Sequence, residues 1–255
     1  MRDMAIGIIG GSGFYEWFGE SAEIRKTPFG SSSPITTSKE EGSRIYFLAR
    51  HGPQHSLPPH LVNYRANVYA LRELGVTHIV ATNAVGSCIK KIEPGDFLIP
   101  DQLIDLVTGR QSTFFTGEHQ NNLPEKLQEV KHTDVSYPYK GVVRETLLEV
   151  LTNSDFKFHS SGTYVTTQGP RFETAAEIQM IKKLGGSVVG MTSAPEAFLA
   201  RELDIDYATT CLVTNYGAGM QKKISHAEVI DIFESRMEDL KQIIREFLDR
   251  ILCKL

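Results

Sequence analysis

The chain has 255 residues, 41% of them hydrophobic and 23% charged, with a formal net charge of −4. That size and composition suit a single α/β domain spanning residues 1–255 with a sizeable core. The mild negative charge gives no reason to expect nucleic acid or an anionic membrane as partner; no apolar run is long enough for a membrane span, and the N-terminus lacks signal-peptide architecture.

Residues 4–9 read as a buried strand running into Gly10-Gly11-Ser12-Gly13, and residues 44–49 as a second ending at Arg50-His51-Gly52. Residues 62–74 follow helical spacing and stop at Gly75. A strand over 78–82 runs into a small-residue turn, Asn83 to Ser87. Residues 97–100 and 103–106 are strand-like, whereas 110–137 are polar and irregular, in the manner of a functional loop or subunit contact. Helices are expected over 141–152 and 173–184, the second opening at Glu173. A run of β-branched residues ends in Gly190-Met191-Thr192-Ser193, and Pro195 suits the first turn of a helix over 195–203. Tyr207–Thr214 reads as a strand ending at Asn215. One long helix is expected from about residue 225 to the C-terminus, with Ser225 and Glu228 as capping box and apolar positions from Val229 to Ile251 at the 3.6 period.

Strands alternating with helices predict a mixed, mainly parallel sheet flanked by helices, with the ligand site outside the carboxyl ends of the strands. Polar or glycine-rich clusters at 10–13, 50–55, 82–87, 190–193 and 214–219 nearly all follow predicted strands, which makes them five candidate pieces of one site. The three cysteines, Cys88, Cys211 and Cys253, are odd in number and widely spaced, which points to a reducing cytoplasm and not to a disulfide framework. Cys88 and Cys211 sit in apolar surroundings and read as buried, inert thiols.

Gly10-Gly11-Ser12-Gly13 offers backbone N–H groups and a hydroxyl to an oxyanion, or is simply a tight turn; it matches neither an NTP loop nor a dinucleotide fingerprint. Arg50 is a natural bidentate partner for phosphate, or else half of a surface ion pair. His51 and His55 have the spacing of metal ligands, but no acid cluster accompanies them and no metal is expected. Thr192, Asn83 and Ala84 supply neutral donors that, with Ser12 and Arg50, would make a phosphate site holding a single cation; singly, each could be a turn residue. Asn215 is either a ligand contact or a turn-shaping residue. His226, in the positive first turn of the C-terminal helix, is expected neutral and able to bond a hydroxyl, or else solvent-exposed.

Taken together these residues resemble the family of trimeric purine nucleoside phosphorylases and methylthioadenosine phosphorylases. The markers are Leu48-Ala49-Arg50-His51-Gly52, residues 62–67 (VNYRAN), residues 169–174 (GPRFET), Gly190-Met191-Thr192 and His226-Ala227-Glu228-Val229. The resemblance implies phosphorolysis of a purine nucleoside to free base and pentose 1-phosphate, with phosphate as co-substrate, no cofactor, and a homotrimer or a dimer of trimers. It implies phosphate contacts from Ser12, Arg50, His51, Asn83, Ala84 and Thr192, ribose contacts from Met191 and from Tyr64 or His55, and base stacking by Phe172. His132 matches a position that reaches into a neighbouring subunit's site. Asn215, Glu173 and His55 are the candidate catalytic side chains.

The framework is similar to the methylthioadenosine branch, but that branch carries Asp-Tyr-Asp where this chain has Asn215-Tyr216-Gly217, and a serine where it has Glu173. The Glu, the Asn and the His226 pattern resemble the 6-oxopurine branch. Hypoxanthine and guanine present N1–H and O6, to which a carboxylate and an amide are complementary. A 5′-methylthio nucleoside substrate, a non-catalytic nucleoside-binding module and a hydrolase are the alternatives.

Overall fold

The computed structural model describes residues 5–11, 22–40, 43–52, 55–117, 123–222 and 225–255. Ser12 and Gly13 lie outside the described residues, as does the side chain of His226.

The strands in chain order are β1 (Ala5–Gly10), β2 (Ala22–Glu23), β3 (Lys26–Thr27), β4 (Gly30–Ser31), β5 (Ile35–Glu40), β6 (Ser43–Ala49), β7 (His78–Ser87), β8 (Phe97–Leu98), β9 (Gln102–Asp105), β10 (Phe158–His159), β11 (Thr163–Thr166), β12 (Val188–Gly190) and β13 (Asp206–Tyr216). The helices are α1 (Tyr64–Glu73), α2 (Val142–Thr152), α3 (Ala175–Lys183), α4 (Ser193–Glu202), α5 (His226–Ser235) and α6 (Met237–Lys254). Among the described residues one sheet runs β10-β8-β13-β7-β1-β6-β5-β2, with β12, β11 and β9 joined to it through β7. The strands β6, β1, β7 and β13 are mutually parallel, while β5, β8 and β12 pair antiparallel with their neighbours. This is the expected mixed α/β sheet flanked by helices.

Alternation along each central strand feeds two cores. Ile6 and Ile8 of β1, Ile45 and Phe47 of β6 and Val80 of β7 face α2 and α6, where Leu147, Leu151, Ile244 and Phe247 meet them. Ile9, Tyr46, Leu48, Ile79 and Tyr207 face α1 and α4, against Val68, Leu71, Ala197 and Leu199. Burial on both faces explains why these strands read as continuous apolar runs.

Several sequence boundaries move. Asn83 to Ser87 are not a turn: they continue β7, because β13 pairs alongside through Tyr216. The ladder at 97–100 shortens to Phe97–Leu98, since Pro100 has no N–H to offer, and the strand at 103–106 shifts to Gln102–Asp105. The short, polar strands β2 to β5 carry no hydrophobic run and were not legible. Helix α3 opens two residues after Glu173, capped by Thr174 and Glu177 in a reciprocal box. Ala194 is non-helical, so regular α4 starts at Pro195 as expected.

The C-terminal helix is two helices, not one. The break falls at Arg236, whose guanidinium lies 5.2 Å from the Phe97 ring and 5.8 Å from the Phe156 ring. The Ser225–Glu228 capping box is formed. However, Ile230 of α5 is exposed, and the apolar stripe is buried only from Met237 onward, against α2. The heptad-like spacing continues across the break, so the sequence does not register it.

Candidate active site

The site is built around a gap in the sheet. One edge of β7 is paired along its whole length by β13. The other edge is shared: β1 pairs with residues 78–81, and β12 enters from the opposite direction to pair with Gly86 and Ser87. Residues 82–85 lie between them. Ala84 is exposed there while every other position from Ile79 to Ser87 is buried. The Thr82 carbonyl faces this gap, since it accepts from Arg50 Nη1 at 3.0 Å. By the two-residue alternation of a strand, the Ala84 peptide groups turn the same way.

Because β12 is antiparallel to β7, its carboxyl end points back toward the middle of β7. Thr192 Oγ1 therefore donates to Asn83 Oδ1 at 2.5 Å, and Asn83 Nδ2 donates to Thr209 Oγ1 at 2.6 Å. The sequence reading made Asn83 a phosphate donor. Its amide is the middle of a buried relay between β12 and β13, which uses Oδ1 and one of the two Nδ2 N–H groups.

Arg50 is neither exposed nor a lone cation. Its Nε and Nη2 donate to Glu196 Oε2 and Oε1, both at 2.8 Å, with the two side chains 2% and 0% exposed. Burial alone would push the guanidinium down, but the charge and hydrogen bonds of Glu196 outweigh it and hold Arg50 well above the usual range. Tyr207 donates to the same carboxylate at 2.8 Å. The ion pair that stood as the alternative for Arg50 exists but is buried, not on the surface, and the expected single cation carries its own counter-charge. Three of the five guanidinium N–H groups are used, which leaves two.

His51 stacks on His55 with ring centroids 4.3 Å apart. Burial, then the charges of Arg50 and His55, push His51 down to about 3, only partly opposed by its bond to the Leu57 carbonyl. That bond is 2.8 Å from Nδ1. A carbonyl only accepts, so the proton sits on Nδ1 and Nε2 presents a lone pair. His51 can accept from a hydroxyl of phosphate or ribose, not donate to a bare anionic oxygen. Among the described residues no three His, Cys, Asp or Glu side chains converge to hold a metal ion.

At the β12 side, Thr167 donates to Glu173 Oε1 at 2.6 Å. Asn215 is 6% exposed; its Oδ1 accepts from Thr214 and its Nδ2 donates to the Tyr216 carbonyl at 2.9 Å. A Cβ on Gly86 would come within 3.1 Å of Asn215 Nδ2, so glycine is what lets the amide lie against β7. Gly217 donates its N–H to the Ser87 carbonyl at 2.7 Å and prolongs the strand. Gly169 has φ +59°, and a Cβ there would fall 2.4 Å from Met191 Sδ. Met191 and Phe172 are both partly exposed. Of the two ribose candidates, Tyr64 is buried with its hydroxyl donating to the Pro59 carbonyl at 2.9 Å, and His55 is exposed. His132 is exposed, as are Val130, Val135 and Tyr137 around it. Cys88 and Cys211 are buried, and burial pushes the Cys88 thiol up to about 12.

The profile of the Phosphorylase superfamily matches residues 5–249. This chain belongs to that superfamily. A 6-oxopurine nucleoside phosphorylase of Pyrococcus furiosus is 48% identical over 242 residues, covering 94% of this chain and 90% of the relative. A protein of Methanothermobacter thermautotrophicus described as a probable S-methyl-5′-thioinosine phosphorylase is 44% identical, covering 94% and 81%. The structure of Schistosoma mansoni methylthioadenosine phosphorylase in complex with adenine superposes with a TM-score of 0.90 at 32% identity, over 98% of this chain and 92% of that one. The expected phosphorylase fold and enzyme class hold, and the non-catalytic module is set aside.

The phosphorylase site also contains residues that the sequence reading missed. Glu196 had a faint signal, a lone acid in the apolar run from Ser193 to Ala200. Arg110 had none. It leaves the irregular segment 110–137 to donate to the Met191 carbonyl and the Gln168 carbonyl, both at 2.6 Å, and lies over the Tyr64 ring.

Proposed function

We propose that this phosphorylase cleaves 6-oxopurine nucleosides such as inosine and guanosine with inorganic phosphate, giving free base and ribose 1-phosphate in purine salvage. The observation that carries the reading is the pairing of one carboxylate, Glu173, with one buried side-chain amide, Asn215, around the β12–β7 junction. The carboxylate accepts from N1–H, and the amide, which keeps a second N–H after serving Tyr216, donates to N7 or O6. Adenine would set a lone pair against the carboxylate, a mismatch that discriminates by roughly 10⁴-fold or more. The relatives described as 6-oxopurine or probable 6-oxopurine nucleoside phosphorylases, at 40–48% identity, support the same base class.

In this reading phosphate lies in the β7 gap, held by the Ala84 amide, the remaining Arg50 N–H groups, Ser12 and Thr192, whose hydroxyl turns from Asn83 Oδ1 to a phosphate oxygen. Phosphate attacks C1′ as the C1′–N9 bond breaks through a ribosyl cation, and Asn215 stabilises the charge growing on the departing base, as an oxyanion site does. His51 accepts a hydrogen bond from a hydroxyl of phosphate or ribose, and His55 and Met191 line the sugar. The reaction needs no metal, cofactor or covalent enzyme intermediate. A homotrimer or dimer of trimers, with His132 facing a neighbour's site, is supported by the exposed Val130 and Tyr137. Buried reduced thiols suit a cytoplasmic enzyme.

A second reading keeps the base and changes the sugar. Methylthioinosine carries the same 6-oxopurine, so Glu173 and Asn215 serve it equally, and a relative at 44% identity is described accordingly. Comparison of kcat/KM for inosine, guanosine, adenosine, methylthioinosine and methylthioadenosine, with and without phosphate, tests both. A win for adenine nucleosides refutes the base assignment, and turnover without phosphate makes the enzyme a hydrolase.

A further inference from the structure

We infer that Thr167 is a specificity-determining residue: its hydroxyl fixes the Glu173 carboxylate as the acceptor that selects the purine base. The inference rests on the reading above, in which Glu173 meets a purine N1–H. Thr167 follows β11 directly and is half-buried. Its Oγ1 lies 2.6 Å from Glu173 Oε1 and 3.4 Å from the Gly190 carbonyl. A hydroxyl has one proton to give. The Gly190 carbonyl already receives the Thr167 backbone N–H at 2.8 Å, and the carboxylate is both nearer and charged, so the proton goes to Glu173. A hydrogen bond to an ionised acceptor is about twice as strong as a neutral one.

The neighbouring cation does not compete for that carboxylate. Arg171 turns its fork onto Glu177, with Nη1 and Nη2 at 2.8 and 2.7 Å from the two carboxylate oxygens. Thr167 is anchored through its backbone to β12, whose end carries Met191 and Thr192. The bond therefore ties the base-recognition carboxylate to the strand that also brings the phosphate-side hydroxyl. With Oε1 held, the second oxygen is the one left to meet the base, and the carboxylate cannot swing aside to relieve the lone-pair clash with adenine N1. Released from Thr167, it loses its aim at N1–H and tolerates adenine.

The test is kcat/KM for inosine and adenosine, with KM for phosphate, in Thr167→Val, Thr167→Ser and Glu173→Gln. Thr167→Val is expected to lower the inosine-to-adenosine ratio about tenfold or more, as loss of a hydrogen bond to a charged group does, with KM for phosphate unmoved and Thr167→Ser close to the parent. An unchanged ratio in Thr167→Val overturns the inference. So does a fall in both substrates and in phosphate affinity together, which marks a merely structural residue, or a Thr167→Ser variant as impaired as the valine one. If Glu173→Gln collapses the ratio while Thr167→Val does not, only the role of Thr167 fails; if Glu173→Gln leaves the ratio intact, the reading of Glu173 fails first. Thr167→Ala replaces the valine variant if that one does not fold.

Discussion

Arg50 and Glu196 form a two-point ion pair in the interior, each bond 2.8 Å and neither side chain more than 2% exposed. The strand β6 delivers the arginine and α4 the glutamate, so the pair also pins the helix that begins just after Thr192 to the sheet. In the proposed reaction, a guanidinium whose charge is already balanced would bind phosphate by direction and not by net charge.

Glu196→Gln leaves that buried guanidinium without its counter-charge. Breaking one partner of a buried pair costs about 3–5 kcal/mol, so the denaturant midpoint falls. The KM for phosphate rises more than the KM for nucleoside, because the two remaining N–H groups lose their aim. Urea titration and steady-state kinetics measure both; equal shifts in the two KM values contradict the positioning role.

His51 gives the stability curve an acid limb. Its folded value is depressed to about 3 against 6.5 for the free side chain. Between those values the unfolded chain binds the extra proton, so stability rises with pH through this window. The contribution is fully present above 6.5 and is lost as pH falls from 6.5 toward 3. His51→Gln is expected to flatten this limb by as much as one bound proton while leaving stability above pH 7 with no added slope. An acid limb of unchanged steepness by pH-resolved denaturation counts against it.

Asn215→Ala removes the donor assigned to the leaving base. By analogy with loss of a single oxyanion donor, kcat for inosine falls about 10²–10³-fold, with KM for phosphate little changed. Saturating phosphate and a stopped or coupled assay read kcat directly; a variant as fast as the parent rejects the assignment.

Arg110→Ala cuts the clasp between the carbonyls of Gln168 and Met191. The loop carrying Phe172 and Glu173 then loosens against the sugar side, and KM for nucleoside rises about tenfold, the effect of losing charge-assisted hydrogen bonds. Arg110→Lys gives little rescue, since one ammonium replaces a planar fork poorly. Full recovery by lysine identifies a charge effect instead.

The sequence located the central strands well because β1, β6, β7 and β13 are buried on both faces and so are written as apolar runs. Glu173, Asn215 and Thr192 stand out in it because polar residues next to such runs are conspicuous. Asn83 was misjudged for the same reason: a small polar run looks like a turn, yet β13 and β12 keep it in register as strand. Arg236 hid the break before α6, since the aromatic rings that hold it lie on β8 and after α2.

The chain order by itself determined the fold class, the residue types at the site and the family. Local propensity and burial pattern are carried by neighbouring residues, so they can be read without a partner strand. Only the tertiary structure decided which groups are used and which remain. The antiparallel entry of β12 brings Thr192 back to Asn83, residue 196 neutralises residue 50, and Leu57 sets the proton on His51. The first two span long sequence separations and the third is set by the loop that follows Arg50; in each, distance and desolvation, not residue type, fix whether a side chain donates, accepts or is already paired.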